Sequence, residues 1–212
     1  RIKRSAHVQE IVIATTVETV DDPIADFANK NGIKCFRGSE DDVLKRLVEA
    51  HEFMETDLVV ELTGDSPFVD PDVIDETVEL YFEGDCDYVS NTLTRSHPIG
   101  VRSQVFHLDL LKECENLSSQ KHDREHVTTF ICRNDDGKYR LKNYHSEEDQ
   151  YFPTLRLTLD YPEDLEVTRK IYESLHPENP EFSLNDVLDF LSKNPEVKEI
   201  NQNCKQIYKE GA

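Results

Sequence analysis

Apolar runs and helix-period runs alternate along the first eighty residues. Val8 to Thr16 carries Ile11, Val12 and Ile13 in a contiguous β-branched run, the pattern of a strand covered on both faces. Asp22-Pro23 then has the form of a cap and a first-turn proline, predicting a helix with Ile24, Phe27 and Ala28 on one face and Gly32 as its stop. Ile33 to Phe36 reads as a short strand. Gly38 turns the chain, and Ser39-Glu40-Asp41-Asp42 resembles a capping box ahead of a helix bearing Val43, Leu44, Leu47 and Val48. Leu58 to Asp65 is a third strand, and Pro71 opens a helix with Val73, Ile74, Val78 and Tyr81 spaced for one face. This β-α-β-α-β-α order predicts an α/β domain with a parallel sheet covered by helices.

Beyond Gly84 the periodicity loosens. Tyr88-Val89-Ser90 and Val105-Phe106 are strand candidates flanking a polar loop from Asn91 to Arg102. Asp123 to Cys132 has a helical pattern, Asp135-Asp136-Gly137 a turn, and Tyr139 to Tyr144 a strand. A further strand ends at Asp160, followed by a helix from Pro162 to about Leu175 and an amphipathic helix capped by Ser183 with Val187, Leu188 and Leu191. One domain over residues 1–193 is expected, with 88–106 as a dimerisation or substrate-side element and 194–212 as a hydrophilic, partly mobile tail.

Charge narrows the partners. The 212 residues hold 24 basic and 44 acidic side chains, a formal net charge of −20, which excludes the basic density that a nucleic-acid surface needs. A nucleotide bound by such a chain needs a metal ion and locally placed cations. The five cysteines are odd in number and lack CxxC spacing, which argues against a disulfide framework or a structural zinc and fits a reducing cytoplasm. There is no apolar run of membrane-spanning length and no secretory signal pattern. The first residue is Arg1, so the chain reads as a piece of a longer coding sequence.

Two acids stand at strand ends. Asp65 closes Leu58-Val59-Val60-Glu61-Leu62-Thr63-Gly64, and Asp160 closes Leu155-Arg156-Leu157-Thr158-Leu159. Ligands of open α/β sheets collect beyond the carboxyl ends of the strands, where two carboxylates can hold one Mg²⁺ against nucleotide phosphates. Each can equally cap the helix that follows it. His122 and His126, four apart, lack the HExxH form and any third ligand, so a solvated or core pair is the simpler reading.

Six stretches together carry a resemblance. They are Ile11-Val12-Ile13-Ala14-Thr15-Thr16, Phe36-Arg37-Gly38-Ser39-Glu40-Asp41-Asp42-Val43-Leu44, Leu62-Thr63-Gly64-Asp65-Ser66-Pro67, Asp87-Tyr88-Val89-Ser90-Asn91-Thr92-Leu93, Arg124-Glu125-His126-Val127-Thr128 and Leu159-Asp160-Tyr161-Pro162-Glu163-Asp164-Leu165. In that order they resemble the cytidylyltransferase family of the CMP-sialic acid and CMP-Kdo synthetases, most of all its SpsF-like spore coat polysaccharide branch. The resemblance implies a Rossmann-like nucleotide-diphospho-sugar transferase fold, with a mostly parallel mixed sheet flanked by helices. It implies CTP and a sugar or sugar acid as substrates, pyrophosphate as a product, and homodimers. It also implies Mg²⁺ on Asp65 and Asp160, Arg124 beside them, and Thr15, Arg37, Gly38, Ser39 and Asp42 at the nucleotide. Asn91, Thr92, Arg102 and His126, with Arg95 and Arg124, fall on the sugar side. Within the residues themselves, Arg124 can hold an anion or pair with a neighbouring acid of its own helix. The 37–42 loop can present free amides or be a plain helix cap with an acidic first turn.

The chain departs from the family twice. Relatives begin with a strand and a QARMGSTRLPGK-type loop that grips the triphosphate; it does not occur in this sequence, and the strand it follows is expected to be central to the sheet. Relatives also carry a GLDVEVF pattern where this chain has Gly100-Val101-Arg102-Ser103-Gln104-Val105-Phe106. Replacing two acids by Arg102 and Gln104 either suits a more anionic substrate or marks a decayed site. These departures leave two other readings open: a non-catalytic paralogue that binds a partner, and a glycosyltransferase that consumes a nucleotide sugar. The 212 residues as they stand are expected to be weakly active at most.

Overall fold

In the computed structural model, which describes residues 1–205, β1 (Val12–Thr16) and β2 (Lys34–Gly38) pair in parallel, Val12 opposite Lys34 and Thr16 opposite Gly38, joined through α1 (Asp22–Lys30). Next come α2 (Val43–Phe53), β3 (Leu58–Glu61), α3 (Pro71–Phe82) and β4 (Tyr88–Ser90). Strand β5 (Gln104–His107) inserts between β3 and β4, antiparallel to both, with Glu61 and Ser90 each opposite Gln104. Helices α4 (Leu108–Leu117), α5 (Lys121–Glu125) and α6 (Thr129–Arg133) lead to β6 (Leu141–Asn143), which pairs in parallel with β4. The order β3-β5-β4-β6 gives three strands running one way and one against them, the expected mostly parallel mixed sheet. Helices α7 (Pro162–Leu175), α8 (Leu184–Lys193) and α9 (Pro195–Glu199) complete the described chain.

Strand alternation distributes the core. Val59, Tyr88 and Phe106 face α2, α4 and α6 through Leu44, Val48, Leu111, Cys114 and Ile131, with the Tyr88 and Phe106 rings stacked 5.8 Å apart. Val105 and Val60 face Ile74 and Val78 of α3. A third cluster joins Phe68, Val101 and Leu157 to the inner faces of α7, α8 and α9. The stretch 88–106 therefore supplies β4 and the start of β5, both internal strands. All five cysteines are free thiols, and no helix among the described residues is long and apolar enough to cross a membrane.

Four features differ from the sequence pattern. Among the described residues, the β1–β2 pair and the four-stranded sheet share no ladder, and β1 has a strand on one side only. Ile11, Val12 and Ile13 are accordingly half-buried, and the α1 face keeps Ile24 and Phe27 exposed, since a two-stranded sheet is too narrow to cover it. The strand predicted to reach Asp65 stops at Glu61. The strand predicted to end at Asp160 is extended chain bonded to two different segments: Ile99 on one stretch, where Leu157 N donates to Ile99 O at 2.8 Å, and Asp65 on the next. It never builds a regular ladder. The helix predicted over Asp123–Cys132 breaks into α5 and α6 at Val127, whose φ is +50°. Buried Asp123 accepts the Arg133 guanidinium (2.8 and 3.0 Å) and the Thr129 hydroxyl (3.0 Å), which folds α6 back onto α5.

Part of the expected tail is docked. Val197 of α9 enters the core, and buried Asn201 donates to Asp164 Oδ1 at 2.8 Å. Residues 206–212 of that tail lie outside the described residues. The anchor is Asp164 at the start of α7. Its carboxylate accepts both arms of buried Arg156 (2.9 and 2.7 Å), and also the Asp160 and Tyr161 amides (2.9 and 3.0 Å). Burial alone would raise the Asp164 pKa; the Arg156 and amide hydrogen bonds outweigh it, and the net shift is downward.

Asp164→Ala leaves the buried Arg156 charge without its main partner, an expected loss of about 3–5 kcal/mol in urea unfolding at pH 7. A carboxyl whose folded pKa is lowered stabilises the fold above its unfolded pKa. That contribution is therefore lost as pH falls below about 4. Unfolding free energy measured from pH 7 to pH 3 should drop steeply for the parent chain and less for the variant.

Candidate active site at the strand ends

The carboxyl ends of β1 and β2 carry Thr15, Thr16 and Gly38. Asp21 accepts from the Thr15 hydroxyl (2.9 Å), the Thr16 hydroxyl (2.5 Å) and the Thr16 amide (3.1 Å), which lowers its pKa. Arg37 closes the same turn: Nε donates to Thr16 O (2.8 Å), Nη1 to Asp22 (2.7 Å) and Nη2 to Glu18 O (2.8 Å). Ser39 does not cap α2. Its hydroxyl accepts from the Asp42 amide (3.1 Å) in the preceding turn, its carbonyl accepts from Arg46 (2.6 Å), and Asp42 is the cap, accepting from Lys45 N at 3.0 Å.

Arg124 reaches that cap from α5. Nε and Nη2 fork onto the two Asp42 oxygens, the former at 2.9 Å, and Nη1 donates to Glu115 O at 2.7 Å. These contacts raise the Arg124 pKa. Asp42 is lowered on balance, although its partial burial works the other way. Arg124 thus pairs across elements, with α2 and α4, rather than along its own helix. The His122 and His126 rings meet edge to face, 4.4 Å apart. Partial burial, then the nearby His122 and Arg102 charges, lower the His126 pKa.

On the other side, Asn91 leaves β4 fully buried. Its Nδ2 donates to Val101 O (2.9 Å) and its Oδ1 accepts from Ser103 N (3.0 Å), so one side chain grips the backbone on both sides of Arg102. Thr92 turns back on Ser90, with the two hydroxyls 2.9 Å apart. Gly100, at φ +93°, lies against residues 157–158: a methyl group there would stand 2.6 Å from Thr158 N. Arg102 is half-buried and donates Nη2 to Thr128 Oγ1 at 3.3 Å; its buried Nε has no hydrogen-bond partner among the described residues, while burial lowers its pKa and the Glu61 and Tyr88 interactions raise it on balance. Thr128 donates to Gln104 Oε1 (2.7 Å), Tyr88 donates to the same oxygen, and Gln104 Nε2 donates to buried Glu61. Burial pushes the Glu61 carboxyl up, with the Arg102 charge pulling against it.

The two strand-end acids come together at backbone level. Leu159 N donates to Asp65 O at 2.9 Å, and the Thr158 hydroxyl donates to the same carbonyl at 3.2 Å. Ser66 donates to Asp65 Oδ1 (3.2 Å), and Arg156 Nη2 to Asp160 Oδ2 (2.6 Å). No group of three or more His, Cys, Asp or Glu side chains suited to a metal ion occurs among the described residues. Separate contacts link Arg124 to the 39–42 turn, Arg102 to Thr128, Gly100 to Thr158, and Thr158 to Asp65.

A sequence model of the cytidylyltransferase family matches residues 1–191. The chain belongs to that family. Family membership makes it a nucleotidyltransferase. It is 34% identical over 208 residues to the uncharacterised protein MJ1063 of Methanocaldococcus jannaschii, covering 97% of this chain and 82% of that protein. It is 33% identical over 202 residues to the spore coat polysaccharide biosynthesis protein SpsF of Bacillus subtilis, covering 93% and 82% respectively. A cytidylyltransferase from Leptospira borgpetersenii superposes with a TM-score of 0.87 at 30% identity, over 99% of this chain and 85% of that one.

Several residues of this family member's rim escaped the sequence reading. Glu61, Tyr88 and Thr128 join Gln104 only because β5 runs antiparallel between β3 and β4. Arg156 did leave a signal: a charge at an inward position of the apolar run Leu155-Arg156-Leu157. Gly100→Ala should force the 100–104 and 157–160 segments apart, combining a left-handed φ with a steric clash, for an expected loss of more than about 2 kcal/mol. Thermal unfolding measures it; a melting temperature within about 2 °C of the parent would contradict the packing described.

Proposed function

We propose that the chain transfers a cytidylyl group from CTP to a hydroxyl of a sugar or sugar acid, for polysaccharide synthesis. The acceptor oxygen bonds to the α-phosphorus, the bond from that phosphorus to the bridging oxygen breaks, and pyrophosphate leaves with the electron pair. The reaction depends on alignment and charge neutralisation more than on covalent catalysis by the protein. The observation that carries this reading is the Leu159–Asp65 backbone bond, which sets two acid-bearing segments side by side at the rim where α/β sheets take ligands.

Two hard carboxylates fit Mg²⁺, which takes one or two such ligands and completes its shell with phosphate oxygens and water. Asp65 and Asp160 would hold it, and its charge would offset that developing on the phosphates. Arg156, bonded to Asp160, fixes that carboxylate's rotamer. The Thr15–Thr16 and 38–39 rim bounds the nucleotide side, closed by Arg37 and by the Arg124–Asp42 fork. Asn91 and Thr92 sit on the acceptor side, where Asn91 acts by holding the 101–103 backbone. Five free thiols agree with a reducing cytoplasm.

In the whole protein, Asp65→Asn and Asp160→Asn should each lower CTP-dependent pyrophosphate release by roughly a hundredfold or more, several kcal/mol of lost transition-state stabilisation. Circular dichroism should be unchanged for Asp65→Asn. Near-normal turnover in either variant removes that residue from the site. Release of a nucleotide from a nucleotide sugar, with no pyrophosphate from CTP, would point to a glycosyltransferase.

A further inference from the structure

We propose that Asn201, in the C-terminal segment, is a positioning residue that holds the Asp160 carboxylate in place through Asp164 and Arg156. The proposal deepens the cytidylyl-transfer reading and rests on it for the role of Asp160.

A chain of hydrogen bonds connects the two residues. The Asn201 side-chain amide donates to Asp164 Oδ1 at 2.8 Å and to the Arg156 carbonyl at 3.3 Å. Asp164 accepts from Arg156 Nε at 2.9 Å and from Nη2 at 2.7 Å. The same Nη2 donates to Asp160 Oδ2 at 2.6 Å, and the Asp160 amide donates to Asp164 Oδ2 at 2.9 Å. Asp160 is therefore held twice, by its carboxylate on Arg156 and by its main chain on Asp164. Asn201, Asp164 and Arg156 are all buried, so water competes weakly for these groups.

The residue type suits the position. Both groups that face the Asn201 nitrogen are acceptors, a carboxylate oxygen and a carbonyl. An amide supplies two donors there; an ionised aspartate has none and a serine one. Arg156 Nη2 is shared between two carboxylates, so the direction it imposes on Asp160 depends on where Asp164 stands. Asn201 ties the Asp164 side chain to the Arg156 main chain and closes that geometry. The segment around it delivers the amide. Val197 is buried in one cluster with Leu157, Val167 and Ile171, Ile200 packs against them, and Cys204 N donates to Asn201 O at 3.0 Å. The family model ends at residue 191, so this brace lies outside the stretch that the model matches. Groups that orient a metal's ligands from behind change its affinity by roughly ten- to a hundredfold when removed.

The test compares Asn201→Ala with Val197→Ala in the whole protein. Val197→Ala opens a cavity beneath α9 and leaves every relay residue in place. Both variants should lower the melting temperature, and only Asn201→Ala should disturb Arg156. The Arg156 Nε–H signal in ¹H–¹⁵N spectra is assigned by its loss in Arg156→Lys. It should exchange with water more than about tenfold faster in Asn201→Ala, and stay within about twofold of the parent in Val197→Ala. With excess Mg²⁺, calorimetry should show CTP binding about tenfold weaker in Asn201→Ala, and no effect of that substitution in an Asp160→Asn background. An unchanged Arg156 signal or an unchanged CTP affinity in Asn201→Ala overturns the proposal. So does a loss of the same size in the Asp160→Asn background, because Asn201 would then act without Asp160, or an equal loss in Val197→Ala, the mark of a merely structural brace. Asn201→Ser, which keeps one donor, replaces Asn201→Ala if the latter does not fold, with an intermediate effect expected. Failure of the parent to bind CTP, beside faster Arg156 exchange in Asn201→Ala, would sink cytidylyl transfer and leave the brace standing.

Discussion

The Asn91 carboxamide is the joint on which the candidate site depends. It is fully buried at the end of β4, and both of its polar atoms are used on the main chain that flanks Arg102. β5 can begin only after this clamp, and from there Gln104 falls opposite both Glu61 and Ser90. Removing the amide would orphan a buried carbonyl and a buried N–H at once, each costing about 1–3 kcal/mol. The clamp also fixes Gly100 against Thr158, and Thr158 bonds the carbonyl of Asp65. Backbone placement therefore sets the crevice, and the acids and arginines project from positions already decided.

Charge is managed locally within a chain of net charge −20. Acids outnumber bases nearly two to one, so a guanidinium at the rim readily finds a carboxylate: Arg37 finds Asp22, Arg124 finds Asp42, and Arg156 finds Asp160 and Asp164. These pairs order turns and helix starts, and their remaining positive potential is small. Under the proposed cytidylyl transfer, neutralising a triphosphate in this setting would fall to a divalent ion and to the local cations. The Gln104 amide bears on this directly. As a neutral group it donates to Glu61 while accepting from Tyr88 and Thr128, which no carboxylate at that position could do.

Local chemistry was legible in the sequence, and long-range pairing was not. The Pro71 and Pro162 helix starts, the Ser183 cap and the turn at Gly137 depend on residues within a few positions of each other, and all four occur. Asp65 and Asp160 were readable as strand-end acids, although neither strand reaches its acid as a regular ladder. The antiparallel insertion of β5 left almost no trace, because Val105-Phe106 is too short to carry a direction. The half-burial of Ile11 to Ile13 was equally hidden, since a β-branched run reads the same with one neighbouring strand or two. Asp42 displaced Ser39 as the α2 cap because Arg124, 82 positions away, fixes its carboxylate.

The break between α5 and α6 shows what the fold gives up for site geometry. Valine in the left-handed region is strained, by about 1–3 kcal/mol, and a continuous helix from 121 to 133 would avoid it. Val127 keeps that conformation because its side chain is buried among Leu44, Phe106 and Ile131, and because Asp123 draws Arg133 and Thr129 back toward α5. The consequence is a tight turn in which Thr128 N bonds to His126 O at 2.6 Å. That turn aims the Thr128 hydroxyl at Gln104 and presents its oxygen to Arg102. A straight helix would carry residue 128 round by about 100° per residue and away from β5. The strained turn at Val127 thus has a structural consequence: it brings a neutral hydroxyl to Arg102 and ties α6 to β5 through Gln104.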